Sequence, residues 1–585
     1  MLLVACGRDF TELHGGGQGP PVAAVEEPPD AGVADAGEAV LTDAGLPDAA
    51  LPPVVPFVLP EGITGLPAKL ELAADWRLVE AFPGVSFDDP VALIAAPRTN
   101  QLIVSEREGK VYAFENRPDV TEKRLVLDLS GQNQGENDSG LLGIVCHPEF
   151  AAPGSSNAQY LYAHYAFREA PIVGRTPPVS TPTRSRLSRF TVDLQTLVAD
   201  PASELVLIDQ EDQSIWHQGG ALMFHPGDGF LYLTVGDEGG SRCQYANCQR
   251  IDKDLFSGVL RIDVDQKGGN VSHPIPRQPA TGTTQGYFIP NDNPFVGQTG
   301  VLEEFYALGL RNTYKMTHDP VDDLVWMGEV GQESREEIDI LAPGANYQWN
   351  VFEGTQRGYG ALPETPLGVW TDPLLDFDRR QMLTIIGGYV YRGQRLPALA
   401  GKYVFADWSR GNIFALPYQR HGNQLELGEL EYLMTAEFRN RENGITSFGV
   451  DETGELYVLA LGADSRIQRL EFGGTQLNAP RTLSAVGVFR DRAALAPVES
   501  LVPYTVQSPL WSDGAQKQRW LAVPAGGQVD FAPLGPWQFP EGTVFVKHFA
   551  KALDERQPDV LTRLETRLLV AGAEQTFYGL TYKWN

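Results

Sequence analysis

From about Leu70 onward the chain alternates between apolar runs of roughly five residues and short Gly/Asp turns, the pattern of strands joined by tight reversals. Five stretches share one grammar: LIVSEREGKVYAFE (102–115), GFLYLTVGDEGG (229–240), DLVWMGEVGQ (323–332), KYVFADWSRGNIFALP (402–417) and GELYVLALGADSRIQRLEF (454–472). Each carries a strand, and three add a polar turn and a second strand ending near an aromatic. Long amphipathic helical patterns are scarce, so the spacing predicts an all-β chain. Repeated strand–turn–strand units predict a β-propeller, and about 400 residues of them predict six blades. Insertions such as 268–300 make the repeat irregular. The pattern is absent before residue 60, where Ala, Pro, Asp and Gly dominate and DAG recurs at Asp30, Asp35 and Asp43. Such a segment has too little apolar surface to offset its ordering entropy, and it reads as a disordered tether. The expected organisation is a tether over 1–60, a propeller over 61–475 and a β-rich domain over 478–585. Trp511, Trp520, Trp537, Phe545 and Phe549 give that last domain its aromatic content, and YKWN at the end reads as an interrupted strand.

The formal net charge of −29 excludes a nucleic-acid partner, which needs a basic face. It disfavours an anionic membrane surface and is compatible with neutral sugars, alcohols or cations such as calcium. No apolar run reaches the length of a membrane-spanning helix. Leu3-Val4-Ala5-Cys6 resembles the lipobox of bacterial lipoproteins, although only two residues precede it. With the tether behind it, this start predicts an exported, lipid-anchored protein of the periplasm or outer membrane. Cys243 and Cys248 read as a local disulfide, because two further ligands for a zinc site are not nearby. No Cys-x-x-Cys-His motif is present, so electron transfer would use another cofactor or another protein.

Candidate chemistry concentrates in WHQGGALMFHPGDGFLYLTVGDEGG (216–240). A hairpin there brings His217 to the same rim as Asp237 and Glu238. Imidazole titrates near neutrality, which suits it to general-base work. His147 and His225, in His-Pro steps, and His318, in His-Asp-Pro, read as structural turn residues. Glu329, Glu336 and Asp339 read equally as a solvated acidic face. Gly344, Asn346 and Trp349 read as turn and packing positions, and Trp511–Asp513 as core packing ahead of a sugar-stacking platform.

The motifs GLLGIVCHPEF (140–150), HQGG (217–220), GDEGG (236–240), GVLRIDVD (258–265), YALGLRNTYKMTHDP (306–320), GEVGQESREEIDILAPGANYQWNVFEG (328–354) and GGYVYRG (387–393) occur in this order. Residues 70 to 475 thereby resemble the soluble glucose/sorbosone dehydrogenase family, which includes pyrroloquinoline quinone-dependent aldose sugar dehydrogenases and the propeller of Hedgehog-interacting protein. The resemblance implies a six-bladed propeller with a cofactor cleft on one face. It makes His217 the base and Asp237 the carboxylate that orients it, and sets Gln218, Arg311, Asn312 and Arg392 around the quinone. Gly331 and Gln332 would offer carbonyls to a calcium ion, and Glu337 and Tyr347 would hold a second, structural calcium. The implied activity is oxidation of a sugar or alcohol hydroxyl, with electrons passed to an external cytochrome or quinone. One departure stands out. Glucose-oxidising members carry an Arg-x-Arg step before the last blade, where this chain aligns Gly444 and Thr446, with Arg439 and Arg441 slightly upstream. That departure favours the alternative, a calcium-stabilised propeller that binds carbohydrate or protein without catalysis. Residues 481–524 resemble a domain of unknown function found beside such propellers in exported bacterial proteins.

Overall fold

The computed structural model describes residues 57–584 except 71, 173–179, 423, 439–443, 509, 555 and 574–575. The lipobox-like start, most of the expected tether, and Arg439 and Arg441 lie outside the described residues. The chain divides into two compact units, one of residues 65–486 and one joining 57–64 to 487–584.

Among its described residues the larger unit holds six sheets of four or more strands. Each starts as an antiparallel meander, which is what short apolar runs separated by tight turns produce. The first contains Pro90–Ala96, Gln101–Glu106, Lys110–Glu115 and Arg124–Asp128. The second runs through Leu141–Cys146, Tyr160–Phe167, Thr183–Asp193 and Leu205–Asp212, and gains Gly282–Thr284 from the 268–300 insertion. The third has Leu222–Phe224, Leu231–Val235, Gly258–Ile262 and Phe305–Leu308, with Ala345–Asn346 and Val369–Trp370 added in parallel. Thr313–Asp319, Leu324–Glu329, Arg335–Ile340 and Leu375–Asp378 make the fourth. Ile385–Val390, Tyr403–Asp407, Asn412–Leu416 and Glu431–Thr435 make the fifth. The sixth joins Ile445–Val450, Leu456–Ala460 and Gln468–Leu477 to Leu72–Glu80, so the start of the unit is stitched to its end.

The opening strand of each sheet packs on the opening strand of the next, and Ile445–Val450 packs on Pro90–Ala96. Glycine makes this approach possible. A Cβ on Gly143 would stand 1.9 Å from the Gly220 carbonyl oxygen, and one on Gly328 would stand 2.6 Å from the Gly387 Cα. Apolar side chains fill the space between neighbouring sheets: Val111, Ile144, Leu161 and Phe190 between the first and second, Tyr162, Leu187, Leu233 and Leu260 between the second and third. A sheet covered on both faces needs continuous apolar strands. Leu231–Val235 and Tyr403–Asp407 are accordingly buried at every position.

The smaller unit is built on one five-stranded antiparallel sheet, Val502–Pro503, Gln516–Ala522, Val544–Ala552, Leu561–Ala571 and Phe577–Lys583. Leu561–Ala571 alternates exposed and buried positions over much of its length, as a sheet with one solvated face does. Phe489, Trp520 and Phe549 are buried, whereas Trp511 is 76% exposed. The expectation of core packing at Trp511 is therefore corrected. Among the described residues no helix is long and apolar enough to cross a membrane.

Candidate functional site

Strand pairing places His217. Leu222 pairs with Leu233 in a hairpin, so the five residues before Leu222 and the two after Val235 return to the same end. Gly236 is required there, since a Cβ would lie 1.9 Å from the His217 carbonyl oxygen. The His217 backbone is left-handed, with φ of 58°, a conformation that non-glycine residues adopt uncommonly. Its amide donates to Asp138 Oδ2 at 2.9 Å. The residue is 7% exposed and lines a cavity of about 610 Å³.

The imidazole is oriented by one carboxylate. His217 Nδ1 lies 2.6 Å from Asp237 Oδ1, and Asp237 is fully buried. Asp237 Oδ1 also accepts the Gly239 N–H at 3.0 Å, and Oδ2 accepts the Trp349 indole N–H at 2.8 Å. With both oxygens engaged, Asp237 is held as an acceptor and fixes the ring proton on Nδ1. Nε2 is left as the acceptor on the cavity side. Cys243 and Cys248 form a disulfide, and Cys248 Sγ lies 3.8 Å from Asp237 Oδ2.

Arg311 and Asn312 belong to a turn organised by a buried acid. Glu329 Oε1 accepts the amides of Arg311 and Asn312 at 2.6 and 2.9 Å, and Oε2 accepts the Thr313 hydroxyl. Burial pushes the Glu329 carboxyl up to about 7, against these hydrogen bonds. Asn312 donates to Asp138 Oδ2 at 3.2 Å and accepts from the Gly219 amide at 3.0 Å. It therefore ties the His217 loop in place while lining the cavity. The Arg311 guanidinium lies over Trp349 and donates to the Val330 and Gly331 carbonyls, both at 3.0 Å. Its Nε is buried and has no partner among the described residues.

Gly331 and Gln332 also line the cavity. Asp237 reaches the cavity only through His217, and Gln218 and Arg392, expected around the quinone, do not line it; nor do Glu337 and Tyr347, expected at a second calcium. Gln218 turns inward and donates to Asp212 Oδ2 at 2.6 Å. Arg392 is held by Asp319 at 2.6 and 2.8 Å and by Asp322 at 2.9 Å. Asp319 is six residues beyond Thr313 on one strand, about 20 Å at the usual rise, so Arg392 stands at the far end of the sheet. Glu337 accepts the Gly354 amide at 2.5 Å, and the Tyr347 hydroxyl donates to the Ile340 carbonyl at 2.7 Å. Both are buried outside the cavity.

The solvated-face reading of Glu329, Glu336 and Asp339 is also corrected, because all three are buried. Glu336 pairs with Arg379. Asp339 shares a strand face with Glu337, and neither of its oxygens has a partner among the described residues. Burial and the nearby Glu329 raise its carboxyl well above the carboxylate range.

Sequence reasoning missed Arg107, Glu136, Asp138, Arg379 and Trp408, which all line the cavity. Asp138 stands just ahead of the 140–150 motif, the one available signal. Burial raises its carboxyl, and its Oδ1 is unpartnered among the described residues. Arg107 is paired with Asp89 at 2.5 Å.

The residues present fit a planar, anionic cofactor at one point, the unpartnered Arg311 Nε. The orphaned Asp339 beside Glu337 offers the hard oxygens a calcium ion prefers. At the Gly331 carbonyl the fit is conditional, since the Arg311 guanidinium already occupies that oxygen and must yield it to a metal.

The model of the Glucose / Sorbosone dehydrogenase family matches residues 87–277 and 283–469, more than half of the chain. The chain belongs to that family. Within it, aldose sugar dehydrogenase YliI of Escherichia coli is 31% identical over 45% of this chain and 59% of its own length. Hedgehog-interacting protein of Homo sapiens is 27% identical over 63% of this chain and 48% of its own. The chain spans about half the length of the curated relatives it matches. The apo structure of the soluble aldose sugar dehydrogenase from Escherichia coli aligns over 68% of this chain and 99% of its own, at 20% identity and a TM-score of 0.50. That likeness concerns the fold.

Proposed function

We propose that the chain is an exported dehydrogenase that oxidises a sugar or alcohol hydroxyl with pyrroloquinoline quinone and calcium, on a six-bladed propeller spanning 61–475. The ring-like succession of opening strands supports the blade count. The observation that carries the activity is the buried His217–Asp237 pair, with His217 at the cavity wall and its Nε2 without a hydrogen bond among the described residues. Pyrroloquinoline quinone would supply the hydride acceptor and calcium its polarisation. Arg311 Nε would meet a cofactor carboxylate, and the Gly331 and Gln332 carbonyls and the Glu337–Asp339 pair would hold the metals. His217 Nε2 takes the hydroxyl proton, and Asp237 stabilises the imidazolium that forms. The site buries both groups, which strengthens that interaction. The remaining expectations, a lipid anchor at Cys6 and an external electron acceptor, belong to the same reading.

The test is dye reduction by the full chain supplied with pyrroloquinoline quinone and calcium, across a panel of aldoses and alcohols. Turnover that requires both additives and is lost in His217→Ala supports the reading. Binding of calcium without quinone binding or turnover rejects it in favour of the second reading, a non-catalytic binding propeller. That alternative is favoured by the missing Arg-x-Arg step: Thr446 lines the cavity and donates to the Pro90 carbonyl, while Arg107 and Arg379 are already paired with acids.

A further inference from the structure

At the end of the third and fourth sheets remote from His217, two histidines and an aspartate converge. His225 follows the strand Leu222–Phe224 of the third sheet, and His318 closes on it from Thr313–Asp319 of the fourth. Asp323 stands in the hairpin loop between the two first strands of the fourth sheet. His318 Nε2 lies 2.9 Å and His225 Nε2 3.6 Å from the same oxygen, Asp323 Oδ1. The imidazoles meet edge to face with centroids 4.6 Å apart. One ligand atom from each of the three residues lies within 4.8 Å of the others. His318 is five residues from Thr313, about 17 Å along an extended strand, so this cluster is separate from the cavity.

We infer that His225, His318 and Asp323 form a site for a transition-metal dication of the zinc class, which staples the third sheet to the fourth. Bonds of about 2.0–2.2 Å at tetrahedral angles put neighbouring ligand atoms roughly 3.3–3.6 Å apart. The two measured separations bracket that range, so small side-chain movements suffice. Asp323 can make them, because its side chain is 70% exposed, while the two histidines are mostly covered. Its exposure also leaves the fourth position to water. Two imidazoles and one carboxylate suit zinc, copper or nickel, whereas calcium takes six to eight oxygens. The nearby Arg261 is neutralised by Asp228 and Asp292, at 2.9 and 2.7 Å. Arg420, which also faces Asp323, donates to the Asp322 carbonyl.

Binding carries one local cost. His225 Nδ1 accepts the Gly227 amide at 3.1 Å, so in the metal-free protein the ring proton sits on Nε2. Coordination through Nε2 moves that proton to Nδ1 through solvent and releases the Gly227 amide to water. No proton is gained or lost in that exchange, and Gly227 is exposed.

The test uses the full chain stripped with EDTA and titrated calorimetrically with zinc chloride in excess calcium. Cobalt(II) serves as a second probe, because its visible absorption reports a tetrahedral nitrogen–oxygen set. One equivalent should bind, with Kd at least tenfold weaker in His225→Ala, His318→Ala and the conservative Asp323→Asn. His421→Ala, which alters an exposed histidine elsewhere, should leave Kd unchanged. Zinc should raise the thermal midpoint of the parent chain and not that of His318→Ala. Absence of saturable binding by the parent chain, or equal binding by the His225 and His318 variants, overturns the inference. Neither outcome depends on the quinone, so this result and that of the proposed activity are read separately.

Discussion

His217 and His318 each face an aspartate, yet the two aspartates are built for opposite purposes. Asp237 is fully buried, and an indole N–H and a backbone amide join the imidazole in filling its oxygens. Such a carboxylate has nothing left to offer except orientation, and the histidine keeps Nε2 for chemistry. Asp323 is mostly exposed, and two imidazoles converge on one of its oxygens. An acceptor shared by two ring nitrogens in solvent reach leaves room for a cation. The environment of the carboxylate, rather than the presence of a His–Asp pair, separates a base from a ligand set.

Removing each histidine in turn separates the two roles. His217→Ala should lower kcat/KM by roughly 10²–10⁴, the usual worth of a general base, measured by steady-state dye reduction. His318→Ala should leave it within about twofold, since it touches nothing in the cavity. Asp237→Asn should come next, with a loss of up to about 10⁴ in kcat, because the amide no longer fixes the Nδ1 proton; KM should change little.

Trp349→Phe sharpens the same point at smaller size. It removes the indole donor and leaves Asp237 Oδ2 buried without it, an expected cost of about 1–3 kcal/mol in stability, read by denaturant melts. Reducing the Cys243–Cys248 bond should cost roughly 2 kcal/mol through its short loop, with a several-fold loss of activity because Cys248 packs on Asp237.

The smallest expected effect is on pH dependence. Glu329 titrates near 7 in the folded protein, raised from 4.5 by burial. A raised acid contributes stability that is complete below its unfolded pKa and declines as pH rises toward the folded value. The metal-free chain should therefore lose stability between pH 4.5 and 7. Glu329→Gln should flatten that part of a thermal-midpoint profile.

Much of this was legible in sequence, and what was not has separate physical causes. Apolar runs with Gly/Asp turns specified an all-β chain, and hairpin arithmetic brought His217 and Asp237 to one rim. The Cys243–Cys248 pairing followed from local spacing. Gln218 failed because it turns its side chain away from the cavity its neighbour faces. Arg392 failed because it sits just past the wrong end of its strand. Glu329, Glu336 and Asp339 looked solvated since charge ordinarily marks surface, yet the fourth sheet is covered on both faces. Asp138 and Trp349 reach His217 and Asp237 across separations of 79 and 112 residues, which no local pattern encodes.

The proposed activity requires that the cavity beside His217 hold a quinone and that His217 move the substrate proton there. The most direct measurement is spectroscopic titration of pyrroloquinoline quinone into the calcium-loaded chain, followed by sugar, for the parent and His217→Ala. The expected result is one equivalent bound by both proteins, with sugar reducing the quinone in the parent only. Quinone that fails to bind the parent, or is reduced equally well in His217→Ala, would contradict the account.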